Sequence, residues 1–183
     1  MAAKPRQQPE FSRLVALEAI GEEELAKHIE ATAAERSALA ARFGLLALDR
    51  LAADLRLART KDGTLVRVTG RFQADVTQSC VVSLAPVSSR LEESFTLLYT
   101  TRSEADRFGG EIFVDPDEDD PPEPLPPGGM DLGEAVAEQV ALALDPYPRA
   151  EGVVLERDRW GGGPGERQDR PNPFAVLASL KKP

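Results

Sequence analysis

The eleven residues from Val66 to Val76 constrain the fold more than any other part of this 183-residue chain. Valine, phenylalanine, alanine or glycine occupies every second position, and arginine, threonine, glutamine or aspartate lies between them. This alternation is typical of an antiparallel strand with one buried and one solvated face. Leu51 to Ala58 alternate similarly before an Asp62-Gly63 hairpin signal, and Val87 to Thr100 resume the pattern. The sequence therefore predicts an α+β fold built on an antiparallel β meander.

Two weaker strand patterns extend this meander. Phe11 to Leu17 predict a short first strand, and Glu111 to Val114 predict a short edge strand, giving about four to six strands in all. The pattern leaves two architectures open, an open sheet and a partly closed barrel.

Two segments carry helix signals. Thr32 and Glu35 have the spacing of a capping box, which predicts a helix over residues 33–43 that ends at Gly44. Asp131 is a favourable cap for a second helix over residues 132–144, in which apolar residues recur every four positions. We expect these to be the two main helices.

Negative charge is concentrated in one part of the chain. The formal charge is −9, but twelve acidic residues and one base lie between Glu104 and Glu138, so the remainder is close to neutral. Residues 115–130 combine repelling carboxylates with prolines, which predicts a mobile acidic loop. We expect a flexible N-terminus over residues 1–10, one domain over residues 11–150 that includes this loop, and a flexible tail over residues 151–183.

The tail ends in an amphipathic segment. Asn172 is a favourable cap and Pro173 suits the first helical position, which predicts a short helix over residues 173–181. A helix of this length is not stable alone in water, so we expect it to order on contact with a partner or with the domain. Its apolar stripe would consist of Phe174, Leu177 and Leu180.

The single cysteine and the single histidine limit the chemistry available to one chain. They exclude an internal disulfide, a Cys-based zinc cage and a histidine pair for a catalytic metal. Cys80 lies fifty-two residues after His28 and has no adjacent base, which favours a structural thiol. The run Asp115–Asp120 lacks the glycine and the final glutamate of a calcium loop. We predict no metal, no cofactor and no enzymatic activity; a hydrolase or thiol enzyme is the weaker alternative.

Arginines cluster on the polar faces of two neighbouring predicted strands. Arg67 and Arg71 share one face, and Arg56 lies on the adjacent strand. A basic sheet face can contact phosphate, but this one lacks the interleaved aromatic side chains on which single-stranded RNA is stacked. A solvated face and a direct RNA-binding face are both open interpretations.

No targeting or membrane-spanning segment is predicted. The chain contains no run of about 18 apolar residues, and residues 1–10 lack the apolar core of a secretory signal. A free thiol is typical of a reducing compartment, so we expect a cytoplasmic protein without membrane contact.

Three parts of the chain resemble the YceD family, the large ribosomal RNA subunit accumulation proteins of bacteria. The run from Arg170 to Lys182, which contains Asn172 and Pro173, is similar to the terminal signature of that family. Gln78 to Val87 resembles its central cysteine motif, and the acidic loop with the second helix follows in the family's order. Many relatives carry a C-x-x-C pair where this chain has Cys80 and Ser83, and some carry another cysteine where Tyr147 to Ala150 has none. A metal or redox role of those cysteines is therefore not carried over.

The resemblance implies a ribosome biogenesis factor that supports accumulation of the large-subunit (23S) ribosomal RNA. We expect a non-enzymatic binding or adaptor protein whose partner is a ribosomal precursor or an assembly protein. Direct contact with 23S ribosomal RNA through the arginine face is the alternative. The sequence leaves the oligomeric state open.

Overall fold

A computed structural model describes residues 9–21, 23–60, 63–101, 122–126 and 128–154. The chain divides into residues 1–150 and residues 151–183, and all helices and strands given below belong to the first unit. The predicted edge strand at 111–114, half of the predicted acidic loop (residues 115–121 and 127) and the predicted helix at 173–181 lie outside the described residues.

The described residues form an open β-sheet with helices on one face. A five-stranded sheet has the order β2-β3-β4-β5-β6, and β1 pairs with β7 in a separate two-stranded sheet. Strands β2 to β5 are antiparallel neighbours, which confirms the predicted meander, and the linear order of this sheet excludes the barrel alternative for the described part of the chain. The elements are β1 (Leu14–Val15), a 3-10 helix (Leu17–Ala19), β2 (Leu25–Glu30), α1 (Ala33–Phe43), β3 (Ala47–Arg59), β4 (Leu65–Ser79), β5 (Pro86–Thr100), β6 (Glu123–Pro124), β7 (Met130–Asp131) and α2 (Leu132–Ala143).

The alternating pattern of β4 separates the two faces of the sheet as predicted. Val66, Val68 and Phe72 are buried, whereas Arg67 and Arg71 between them are exposed. The buried face of the sheet joins a single core with residues of both helices and of the N-terminal segment. Among the described residues, both helices pack on this buried face and not on the opposite, polar face.

Both predicted helix caps are present. The Thr32 hydroxyl accepts from the Glu35 N–H, the Glu35 carboxylate accepts from the Thr32 N–H, and α1 ends at Gly44 with φ of 67°. The Asp131 carboxylate accepts from the N–H groups of Gly133 and Glu134 at the start of α2. Local capping chemistry thus fixes the start of each helix.

The N-terminal strand prediction was wrong in extent. Only Leu14 and Val15 of the predicted strand at 11–17 are in a strand, and they pair with Asp131 and Met130 far along the chain. The reason is the start of α2, where the Asp131 carboxylate accepts from the Arg13 N–H at 2.7 Å and from the Ser12 hydroxyl. A helix cap therefore fixes this segment in place of a longer strand.

One strand was not predicted. The residues of β2 on the core face of the sheet are Leu25, Lys27 and Ile29, because they pair with buried residues of β3. Lys27 interrupts the alternation of apolar and polar residues, so the pattern in this six-residue segment is too weak to predict a strand. This strand brings His28 to the polar face.

Candidate binding surface on the sheet

The strand register assembles side chains from β2 to β5 into rows across the polar face. Because directly paired residues share a face of an antiparallel sheet, each row is given by the Cα partners. Two adjacent rows consist of Ala26, Arg56, Thr69 and Thr96, and of His28, Asp54, Arg71 and Ser94.

A shallow groove of about 810 Å³ runs along these two rows. Three consecutive residues from each of β2, β3, β4 and β5 line it, so it crosses four strands. The polar side chains at its rim are well exposed, with 82% for Asp54 and 60% for His28. We refer to this concavity as the sheet groove.

His28, Arg56 and Arg71 of the sheet groove each lie beside a carboxylate. His28 Nδ1 lies 2.7 Å from Asp54 Oδ1, and Arg71 forms an ion pair with Glu92. Arg56 lies 3.5 Å from Glu24 in a looser pair. The groove therefore presents alternating charge and does not form a uniformly basic patch.

The same alternation continues beyond the groove toward the start of β5. Arg90 donates to Asp75 through Nε at 2.7 Å, and this hydrogen bond is the main reason that the pKa of Asp75 is lowered. The adjacent Arg50 lowers it further through its charge. Asp75, like the acids of the groove, therefore lies beside arginine side chains.

The opposite end of the sheet is different. Arg67 lies on the polar face, one row beyond the groove, whereas Arg59, the last residue of β3, pairs with the buried Val66 and therefore lies on the other face. Both are exposed, and no carboxylate among the described residues forms an ion pair with either. We call Arg59 and Arg67 the basic end of the sheet.

The structure brings together some of the predicted arginines and separates others. Arg56 and Arg71 line one groove, as the shared polar face implies, while Arg67 lies outside it. The carboxylates of Asp54 and Glu92 were missed because they lie on neighbouring strands. Only the exact register, which the alternation of a single strand does not contain, could have shown them.

Cys80 is a buried thiol surrounded by backbone donors. It follows β4 and is fully buried, and its Sγ accepts from the N–H groups of Val82, Ser83 and Ala150, each at 3.4 Å. Hydrogen bonding, most strongly from the Ser83 side chain, lowers the pKa of Cys80 to about 6. The Ser83 position and the Tyr147–Ala150 segment, singled out in the sequence, therefore adjoin the thiol.

Neither the sheet groove nor the surroundings of Cys80 bring a nucleophile together with a base among the described residues. His28 pairs with Asp54 on the polar face, whereas Cys80 contacts the turn that follows β4. Ser94 shares a row with His28 but is three strand spacings away, roughly 14 Å. In this part of the chain, histidine, cysteine and acidic residues also do not form a cluster suited to a metal ion.

Several predicted residues lie outside the described part of the chain. They are Asn172, Pro173, Phe174, Leu177 and Leu180. Within the described part, no helix has the length and apolar character needed to cross a membrane.

A family comparison covers more than half of the chain. The model described as "Large ribosomal RNA subunit accumulation protein YceD" matches residues 68–181, from within β4 to the last residues of the tail. No curated protein and no solved structure gives a match.

Proposed function

This chain belongs to the YceD family of large ribosomal RNA subunit accumulation proteins, and from that premise we propose that it acts as a non-enzymatic binding protein. In this proposal it supports accumulation of the large-subunit ribosomal RNA by holding a ribosomal precursor or an assembly protein. The sheet groove is the surface that we assign to this partner.

The charge pattern of the groove is the observation that carries the proposal. Arg71 lies beside Asp54 on β3 and is ion-paired with Glu92 on β5, so both signs are presented within two rows. A phosphate backbone would place negative charge against Asp54 and Glu92, which is unfavourable. A protein surface with its own alternating charges can complement both signs, so we favour a protein partner here.

Binding, and not catalysis, is favoured by the state of the candidate reactive groups. The thiol of Cys80 is fully buried, and the described contacts do not connect it to His28. On the polar face Asp54 and Glu92 are exposed and Asp75 is partly exposed, and each is paired with a histidine or an arginine, whereas a catalytic carboxylic acid requires a desolvated setting. We therefore propose that the protein acts by complementary contacts with its partner and not by a chemical step.

An inversion of charge within the groove tests the proposal. Asp54 and Arg71 are direct partners on β3 and β4, so the double change Asp54→Arg/Arg71→Glu exchanges their charges and keeps the net charge. We expect loss of about tenfold or more in affinity for the captured precursor or factor, from reversed complementarity. Cells that depend on this variant should also accumulate less large-subunit RNA relative to small-subunit RNA.

Two controls accompany this test. Arg149→Glu reverses an exposed charge away from the sheet groove. It should leave unchanged both the capture of the precursor or factor and the ratio of large-subunit to small-subunit RNA. Thermal melting of both variants establishes that the domain remains folded. Unaltered capture and an unaltered RNA ratio in the folded Asp54→Arg/Arg71→Glu variant would rule out the groove as the binding surface.

Direct RNA contact is a second candidate, because the basic end of the sheet is free of carboxylate partners in the described residues. Its test is the salt dependence of binding to single-stranded ribosomal RNA fragments, since each neutralised phosphate contributes about −0.7 to the logarithmic slope. We expect Arg59→Ala/Arg67→Ala to weaken binding and reduce this slope by about 1 to 1.5. The matched double variant Arg71→Ala/Arg90→Ala removes two ion-paired arginines and should change the slope less. Binding that does not depend on salt would exclude this candidate.

A further inference from the structure

One long edge of the main sheet is nearly free of partners in the described part of the chain. Strand β5 pairs with β4 along its whole length, from Pro86 to Thr100. On its other side β6 pairs only with Tyr99 and Thr100. The outer edge from Pro86 to Leu98 therefore has no neighbouring strand among the described residues.

The hydrogen bonds at the end of β5 show which backbone groups face outward. The Thr100 carbonyl accepts from the Leu125 N–H on the β6 side at 2.9 Å, whereas the Thr101 N–H donates to the Thr64 carbonyl on the β4 side. Because the backbone N–H and C=O groups of successive residues point to opposite sides of a strand, the even-numbered residues of β5 direct theirs to the open edge. An unpaired edge of this length is a template for another strand.

We propose that this edge pairs with β5 of a second copy of the chain, antiparallel and with Leu91 on the two-fold axis. The two sheets would then form one continuous sheet through an isologous interface. The choice of a second copy follows from the self-complementary order of the side chains along this strand.

A two-fold axis at Leu91 places Arg90 of each copy directly opposite Glu92 of the other. These even-numbered residues carry the outward backbone groups, so the same pair also exchanges two backbone hydrogen bonds. On the core side of the strand, Val87 of one copy meets Phe95 of the other. The ion pairs, the backbone hydrogen bonds and the apolar contacts therefore all favour the register with Leu91 on the axis.

Neighbouring registers lack this agreement. An axis at Arg90 opposes two arginines, an axis at Glu92 opposes two glutamates, and an axis at Glu93 opposes Glu93 to itself. Like charges directly opposite one another destabilise paired strands. The axis at Leu91 avoids each of these pairs.

The ion pairs within each copy extend across this interface. Arg90 is bound to Asp75 of its own chain, and Glu92 is bound to Arg71 of its own chain. Placing Arg90 opposite Glu92 gives an unbroken alternation of sign from Asp75 of one copy to Arg71 of the other. No two like charges are adjacent in this series of four side chains.

Charge reversal and charge exchange test the register in the full-length protein. In Arg90→Glu or Glu92→Arg, like charges face each other at both symmetry-related pairs, so we expect the dimer dissociation constant from sedimentation velocity to rise about tenfold or more. The double variant Arg90→Glu/Glu92→Arg restores opposite charges between copies but leaves both mismatches with Asp75 and Arg71 within each copy. Recovery of the dimer in the double variant therefore reports the contact between copies and not the stability of the monomer.

Cysteine cross-linking gives an independent measure of the axis. In Leu91→Cys the two introduced thiols face each other as a close, non-hydrogen-bonded pair, so oxidation should give a covalent dimer. Ser89→Cys is the matched control, because residue 89 faces Glu93 of the other copy and not itself. Wild type treated in the same way accounts for the buried Cys80.

Each result decides for or against the proposal. Dimerisation that is lost in the single reversals, recovered in the double variant and trapped selectively by Leu91→Cys supports it. A protein that is monomeric at all concentrations overturns it, as does a dimer that the reversals do not weaken. A monomer in which the amides of Ser88, Glu92 and Ser94 exchange slowly with deuterium also overturns it, because another segment or an extended peptide would then occupy the edge.

Discussion

The environment of Cys80 is set by the backbone of its own turn and of the segment that follows α2. Three N–H groups and the Ser83 hydroxyl direct hydrogen bonds to one sulfur atom, although the side chain has no contact with solvent. Hydrogen bonds to the charged form stabilise a thiolate in the same way as a nearby cation would. The thiolate is therefore favoured at a position where full burial withholds it from reaction.

The ionisation of Cys80 can be predicted from these contacts. Because the Ser83 hydroxyl is the strongest of them, Ser83→Ala should raise the pKa of Cys80 from about 6 toward its ordinary value. The ultraviolet absorbance of the thiolate as a function of pH measures this shift, with Cys80→Ser as the blank and Ser89→Ala as the control. Since the folded pKa is depressed, the thiolate stabilises the fold above the unfolded pKa, and this contribution disappears as the pH falls through 6. A midpoint that does not move in Ser83→Ala would contradict this account.

Gly133 shows how a missing side chain permits close packing. A Cβ atom at this position would lie 2.3 Å from the backbone carbonyl oxygen of Phe11, a residue whose own side chain is fully buried. We expect Gly133→Ala to reduce the free energy of unfolding by about 2–3 kcal/mol through overpacking. Gly21→Ala, where the nearest such atom is 4.0 Å away, should change it by less than about 1 kcal/mol. Urea unfolding of the two variants compares them directly, and equal effects would exclude the packing explanation.

Among the elements, α1 is joined to the N-terminal segment through its first turn. Glu35 accepts from Arg13 at 2.7 and 3.0 Å while it also caps the helix through the Thr32 N–H. The Arg13 hydrogen bond is the main reason that the pKa of Glu35 is lowered to about 2. One carboxylate therefore stabilises both the helix start and the attachment of a separate segment.

Acid should release this connection in a defined pH range. Because the folded pKa of Glu35 lies below its unfolded value, its contribution is complete above about pH 5 and is lost as the pH falls toward 2. Glu35→Gln keeps the polar cap but loses the charge, so we expect about 1–2 kcal/mol lower stability at pH 7 and a flatter pH dependence below pH 5. Chemical unfolding at several pH values measures this, with the exposed Glu18→Gln as the control. Parallel pH curves for Glu35→Gln and the unmodified protein would refute the assignment.

Elements defined by local chemistry could be predicted from the sequence, and elements defined by distant partners could not. The capping residues Thr32 and Asp131 gave both helices, and the long period-two pattern gave β3 to β5. The segment at 11–17 was misjudged because its conformation depends on Asp131, more than one hundred residues away. β2 was missed because Lys27 lies in its core-side row, where only the pairing with β3 reveals a strand.

At the scale of the whole molecule, the same limit applies to the candidate site. That Arg67 and Arg71 share a polar face follows from alternation alone, but the charge of that face depends on which residues the neighbouring strands supply. Register places Asp54 and Glu92 beside Arg71 and leaves Arg67 without a carboxylate partner in the described residues. The predicted arginine face is thus divided into a paired groove and an end at Arg67, with different expected partners.

The tail provides the last prediction, which rests on its sequence because residues 155–183 lie outside the described part. If the stripe of Phe174 and Leu177 orders only on contact, deletion of residues 172–183 should leave the melting temperature of the domain unchanged and remove capture of the ribosomal precursor or factor. In the full chain, Leu177→Asp should reproduce that loss, whereas Ser179→Asp introduces the same charge off the stripe and should not. Capture by affinity purification and melting by circular dichroism measure the two quantities on the same samples. A lower melting temperature with retained capture would show instead that the tail serves the stability of the domain.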